Sequence, residues 1–133
     1  MRALVYVAAS SREVYRAVAA MDALRKAGIE VPFDWTRRVI AEGTASLDQC
    51  QRNAAVAYEE VAAVRRSNFL WLLIPEHGST GAGFESGIAY ERGIPLIISG
   101  PFVRRFFFGL SARAEFLKDA DALEWILDRS VIT

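Results

Sequence analysis

The amino-acid sequence predicts an α/β domain built on a parallel sheet. Three observations predict it. Short apolar runs of strand length recur at residues 4–8, 69–74 and 94–98, and wholly apolar runs suit parallel strands covered on both faces. Stretches with apolar residues at helical spacing lie between them. Strands and helices alternate along the chain, the pattern of a sheet joined by helical crossovers. The length of 133 residues fits one domain spanning residues 1–133, with enough chain to bury a real core.

Each element can be justified in order. Residues 4–8 form the first strand. Ser10 and Glu13 fit a capping box for the helix that follows. That helix sets Val14, Val18, Met21 and Leu24 or Arg25 on one stripe, and Gly28 stops it. Residues 29–33 give a second strand, which Pro32 places at an edge or a strand end. Residues 34–51 lack periodicity and read as a long loop holding about one helical turn; loops of that length are usually functional or disordered. Residues 53–66 place Ala57, Val61 and Val64 at helical spacing. Residues 69–74 make a central strand, 75–80 a loop, 81–92 a helix ended by Gly93, and 94–98 another strand. Residues 101–111 are irregular, and 115–117 allow a short strand. Asp119 or Asp121 caps a last helix with Leu123, Ile126 and Leu127 inward. This order implies a three-layer sandwich around a five-stranded parallel sheet in flavodoxin-like order. Ligands in such a sheet bind beyond the C-terminal strand ends.

Composition narrows the function. Lys plus Arg number 16, Asp plus Glu number 16, and the formal net charge is zero. A nucleic-acid polymer or an anionic membrane surface is therefore not the expected partner. The single Cys50 excludes an internal disulfide and a multi-cysteine metal site. No apolar run reaches membrane-span length, and the first residues do not read as a signal peptide, so a cytoplasmic location is expected. Neutrality with 53% hydrophobic residues points to a homodimer or higher homo-oligomer.

The strand ends lead into Ala9-Ser10-Ser11, residues 75–80 and Ser99-Gly100-Pro101, which should line one crevice together with Asp34-Trp35-Thr36. The sharpest segment is Gly81-Ala82-Gly83-Phe84-Glu85-Ser86-Gly87-Ile88-Ala89-Tyr90. Gly81 and Gly83 allow close approach of a ligand at a helix N-terminus. It is a poor dinucleotide fingerprint, because Ser86 stands at its last glycine position and no acidic residue ends the next strand. No Gly-Lys-Ser/Thr occurs, so a P-loop is excluded. Glu85 falls near the first turn, where the helix dipole favours a charged carboxylate. By position alone, ordinary helix stabilisation is the better explanation.

That segment, followed by Gly93-Ile94-Pro95-Leu96, resembles the nucleoside 2-deoxyribosyltransferase family and the related deoxynucleotide N-glycosidases. The strand Val5-Tyr6-Val7-Ala8-Ala9-Ser10 and the strand opening Ser67-Asn68-Phe69-Leu70-Trp71 match the family's pattern more loosely. The resemblance implies cleavage or exchange of an N-glycosidic bond, with Glu85 as the nucleophile on the anomeric carbon. It implies a second acid, for which Glu60 and Asp34 are the candidates. Trp35 or Phe84 would stack on the base. Tyr6, Ala8, Ser10, Ser11, Ser79 and Thr80 would contact the sugar or a 5′-phosphate, with Gly81 and Gly83 admitting the phosphate. The implied ligand is one nucleoside or nucleotide, with no cofactor and no metal. Family members complete their sites from a neighbouring subunit, which fits an oligomer. A non-catalytic nucleotide-binding or sensing module on the same fold is the alternative.

The remaining polar and aromatic residues have plainer explanations. His77 reads as a solvated loop residue. Cys50 has no activating context. Trp71 reads as core. Arg104-Arg105-Phe106-Phe107-Phe108 mixes cations with aromatics and suits a subunit contact, expected over residues 102–110.

Overall fold

The computed structural model describes residues 3–42, 54–105 and 112–130. Four strands form among them: β1 (Val5–Ala8), β2 (Phe69–Leu73), β3 (Leu96–Ser99) and β4 (Ala114–Phe116). They pair in parallel in the order β1-β2-β3-β4. Tyr6 lies opposite Leu70, Trp71 opposite Ile97, and Ile98 opposite Glu115. The helices are α1 (Val14–Lys26), α2 (Thr36–Glu42), α3 (Ala54–Arg66), α4 (Thr80–Glu91) and α5 (Asp119–Arg129). Short 3-10 turns occupy Ser11–Glu13 and Val103–Arg105.

Alternating strand residues feed two separate cores, as the two-residue side-chain period requires. Val5, Val7, Trp71, Leu73 and Ile97 pack with Met21 and Leu24 of α1 and Ile126 of α5. Tyr6, Ala8, Leu70, Leu72 and Ile98 pack with Val64 of α3 and with Ala82 and Ala89 of α4. Neither face of the inner strands reaches water, which is why their sequence shows no alternation.

The fifth strand expected at 29–33 is reduced to one bridge, Glu30 beside Leu4. The Val5 N–H donates to the Glu30 carbonyl at 3.0 Å. The next rung of that ladder needs an N–H at position 32, and Pro32 has none. The indole N–H of Trp35 donates to the Val7 carbonyl at 2.8 Å, so a side chain continues what the backbone cannot.

Three local expectations change in detail. Ser10 accepts from the Arg12 N–H at 3.2 Å and caps the 3-10 turn, with α1 beginning one turn later. Glu13 does not complete a capping box; it accepts from Arg16 at 3.1 Å and from the Glu76 N–H at 3.3 Å. Val14 and Val18 are half-buried, and the buried stripe of α1 is Ala17, Ala20, Met21 and Leu24. The long loop contains a two-turn helix, α2, rather than a single turn. Cys50 and residues 106–110 of the proposed subunit contact lie outside the described residues. Of that contact, Phe102 packs against the second core and Val103 is buried. No helix among the described residues is long and apolar enough to cross a membrane.

Candidate active site

Two charged clusters are built on this frame, one toward each core. The first joins α1, α5 and the ends of β2 and β3. Arg16 donates to both Asp119 oxygens at 2.7 and 2.9 Å, a two-pronged pair. It also donates to Glu13, to the Ile74 carbonyl at 2.7 Å and to the Ser99 carbonyl at 3.1 Å. The Ser99 hydroxyl donates to Asp119 at 2.7 Å and accepts from the Trp71 indole N–H at 2.8 Å. Hydrogen bonding to Arg16 and Ser99 holds the Asp119 carboxyl below its usual range against the opposing effect of burial. Gly100, at φ 132°, makes room for this arginine: a Cβ there would sit 2.6 Å from an Arg16 nitrogen and 3.3 Å from the Ile74 carbonyl. The cluster closes the strand ends on the α1–α5 side. Sequence reasoning missed it, and the only trace was an arginine on the otherwise apolar stripe side of α1. A groove of about 200 Å³ between α1 and α5, floored by Trp71 and Leu123, lies beside this cluster and holds none of the predicted site residues.

The second cluster contains the predicted nucleophile. Glu85 is 8% exposed and its Oε2 accepts from the hydroxyl of Tyr6, itself wholly buried on β1. The β1 register puts Tyr6 on the face toward α3 and α4, and α4 turns Glu85 inward to meet it. Glu85 is the sixth residue of its helix, in the second turn, so the dipole that was expected to keep it charged has faded there. Burial instead pushes its carboxyl up to about 8; the Tyr6 bond pulls down and the charge of Glu60 pushes up further. The expectation of a carboxylate kept ionised in the resting protein is therefore corrected: near pH 7 Glu85 is mostly protonated. Glu60, on α3, is also raised by burial, with Arg38 of α2 opposing. Burial and the nearby acids push the Tyr6 hydroxyl well above its ordinary value. The structure thus brings together Tyr6, Glu85 and Glu60, two like-charged acids and one phenol.

The other candidates are placed elsewhere. Asp34 is a structural acid. Its Oδ1 accepts from the Thr36 N–H at 3.0 Å and from the Thr36 hydroxyl, capping α2, and its Oδ2 pairs with Arg25 at 2.7 Å. Hydrogen bonds from Thr36 and Arg25 outweigh burial and keep it below the usual carboxyl range. Trp35 is held by its bond to Val7 and packs against both cores, so it is not a free stacking platform. Ser79 caps α4, its hydroxyl accepting from Ala82 at 3.4 Å. Gly81, Gly83 and Phe84 lie on the outward side of α4, with Phe84 64% exposed, so none of them encloses Glu85. Ser10 and Ser11 lie at the start of the 3-10 turn that precedes α1, and Ala8 is paired in β1. His77 is exposed, and no group of ligating residues among the described ones could hold a metal ion.

No protein-family model matches the chain, and no curated protein matches it significantly.

Proposed function

We propose that the protein cleaves or exchanges the N-glycosidic bond of a nucleoside or nucleotide, through a covalent sugar ester on Glu85. The observation that carries this reading is the buried Tyr6–Glu85 pair with a second acid, Glu60, acting on it. Two carboxyl groups whose environments raise them and couple them are the ingredients of retaining glycoside chemistry. The segment bearing Glu85 is also the one that resembles the nucleoside 2-deoxyribosyltransferases. In this reading the fold is the flavodoxin-like three-layer sandwich, with residues 29–33 as a rudimentary edge strand. The setting is cytoplasmic, no cofactor is needed, and the working form is a homo-oligomer.

The chemistry follows from the two acids. An ionised Glu85 oxygen attacks the anomeric carbon as the bond from that carbon to the base nitrogen breaks. Glu60, raised toward neutrality by burial, gives its proton to the departing base. A second base or a water then attacks the same carbon, releases Glu85, and returns a proton to Glu60. Tyr6 donates to the Glu85 oxygen and so favours the ionised form. Because Glu85 is 8% exposed, substrate reaches it only by displacing the groups that cover it.

Incubation with deoxynucleosides and deoxynucleotides, with and without a free base, tests the reading by chromatography of released or exchanged base. Turnover is expected, with loss of at least about a thousandfold in Glu85→Gln. Turnover that survives Glu85→Gln and Glu85→Ala removes the nucleophile. Nucleotide binding with no turnover on any substrate supports the non-catalytic module, which the burial of Glu85 also fits.

A further inference from the structure

We propose that Glu13 is a positioning residue for Glu85: with Arg16 it clamps the segment from Ile74 to Glu76, and that clamp sets where the N-terminal half of α4 lies. As a statement about catalysis this rests on the glycosidic reading; as a statement about the placement of Glu85 it stands without it.

The clamp grips the chain on both sides of Pro75. Before it, the Ile74 carbonyl accepts from Arg16 at 2.7 Å, and the Ile74 N–H donates to the Ser99 carbonyl at 2.8 Å. After it, the Glu76 N–H donates to Glu13 Oε2 at 3.3 Å. The other Glu13 oxygen accepts from Arg16 at 3.1 Å, which joins the two grips into one unit. Each carboxylate oxygen thus serves a different donor, a task that needs both the charge and the length of Glu. Proline fixes its own φ and holds the residue before it extended, so the gripped segment is stiff. Ser79, the cap of α4, lies three residues beyond Glu76, at most roughly 10 Å of chain. Ile74 itself packs in the second core with Ala82 of α4.

The start of α4 is thinly packed by its own side chains. A methyl added at Gly81, Gly83 or Gly87 would meet no atom within 4 Å, and Phe84 is mostly exposed. Glycine also weakens a helix relative to alanine. Over residues 80–87 the buried side chains are Ala82, Glu85 and Ser86, and the cap is a bond of 3.4 Å from Ala82 to Ser79. A segment so lightly held takes its position from the chain that leads into it. Glu85 in that segment faces Tyr6 of β1 and Glu60 of α3, with Arg38 of α2 acting on Glu60. Releasing the clamp therefore loosens Glu85 from its burial.

Amide hydrogen exchange and carboxyl titration by nuclear magnetic resonance on the full chain test the role. In Glu13→Ala, exchange over residues 82–87 is expected to rise at least about tenfold relative to exchange in β2. Burial is the largest cause of the raised Glu85 carboxyl, so that group is expected to titrate below its native value of about 8, its dissociation constant about tenfold larger. Glu13→Asp keeps the charge and loses the reach, and is expected to behave as Glu13→Ala does. His77→Ala, an exposed position in the same loop, is expected to leave both readouts native. With nucleosides, kcat/KM at the top of the pH profile is expected to fall at least about tenfold in both Glu13 variants, the cost of misplacing a reacting group. Unchanged exchange and titration in folded Glu13→Ala overturn the positioning role. A native titration in Glu13→Asp overturns it too, because the effect is then one of charge. Should Glu13→Ala not fold, Glu13→Asp carries both measurements. A native protein without turnover overturns the glycosidic reading alone, and exchange and titration still decide the role of Glu13.

Discussion

The two charged clusters answer burial in opposite ways. At Arg16 every charge has its counter-charge: one guanidinium pairs with Asp119 and Glu13 and also satisfies the carbonyls of Ile74 and Ser99. At Glu85 the carboxyl is bonded to a phenol, with a second acid near enough to oppose its ionisation. Asp119 is accordingly pulled below its ordinary range and Glu85 is pushed far above it. A compensated cluster stabilises by locking helices to strand ends. An uncompensated one is a burden on the fold, and burdens of that kind concentrate where chemistry is done. The difference separates a structural acid from a candidate catalytic one by its partners as well as by its burial, Asp119 being half-buried and Glu85 almost wholly buried.

The largest test of the contrast is the sign of the stability change. For Glu85 the folded carboxyl is raised from 4.5 to about 8. Its protonated form is thus favoured by folding. Its contribution is fully present below the unfolded value and is lost as pH rises through the folded one. The native protein should lose stability between about pH 4.5 and pH 8, and Glu85→Gln should flatten that slope. Near pH 8, Glu85→Gln is expected to be more stable than native by a few kcal/mol, measured by urea unfolding. Asp119→Ala should act in the opposite direction. It strands Arg16 among two carbonyls and one remaining carboxylate, and about 2–3 kcal/mol should be lost, reduced from the fully buried case because both partners are partly exposed. If both substitutions destabilise equally, the two clusters are the same kind of structure and the contrast fails.

How much of this was legible in the sequence depends on the range of the interaction. The continuous apolar runs announced buried parallel strands, because burial on both faces leaves no alternation to read. Pro32 announced the weak edge, because it lacks the N–H that the next rung needs. Glu85 stood out through its glycine-rich neighbourhood and its family resemblance. Its protonation did not, because it follows from burial in a core assembled from elements distant in sequence, Tyr6 on β1 being 79 residues away. The Arg16 network was invisible for the same reason, since it gathers groups from α1, β3 and α5. Asp34 was misjudged by locality in the other direction. Asp34-Trp35-Thr36 is a helix N-cap, a reading available from spacing once α2 is admitted. The glycines of α4 were read as room for a ligand, although their side of the helix faces away from Glu85.

Asp34 offers a smaller test of the same separation. Asp34→Ala removes the cap of α2 and the partner of Arg25. A loss of about 1 kcal/mol is expected in urea unfolding. Its base-release rate should stay within about twofold of native, since no reacting group touches it. A large loss of turnover with intact folding would return Asp34 to the site and displace Glu60.

The finest test uses the phenol. Ionised Glu85 is the form that attacks, so the pH profile of kcat/KM should carry a Glu85 limb near the folded carboxyl value of about 8, while loss of the Glu60 proton acts alike on native protein and variant. Burial sets most of that position, and the bond from Tyr6 lowers it. Tyr6→Phe removes the donor while keeping the ring in the core, so the limb should move to higher pH. Well above the limb, Glu85 is ionised in both proteins, and their rates should converge. Below it, the variant should be slower by a constant factor, because a one-proton limb displaced along the pH axis keeps its slope. A merely structural role for Tyr6 predicts a different profile: a lowered rate at every pH with the limb unmoved. The shape of the curve therefore distinguishes a hydroxyl that tunes the carboxyl from one that only fills the core.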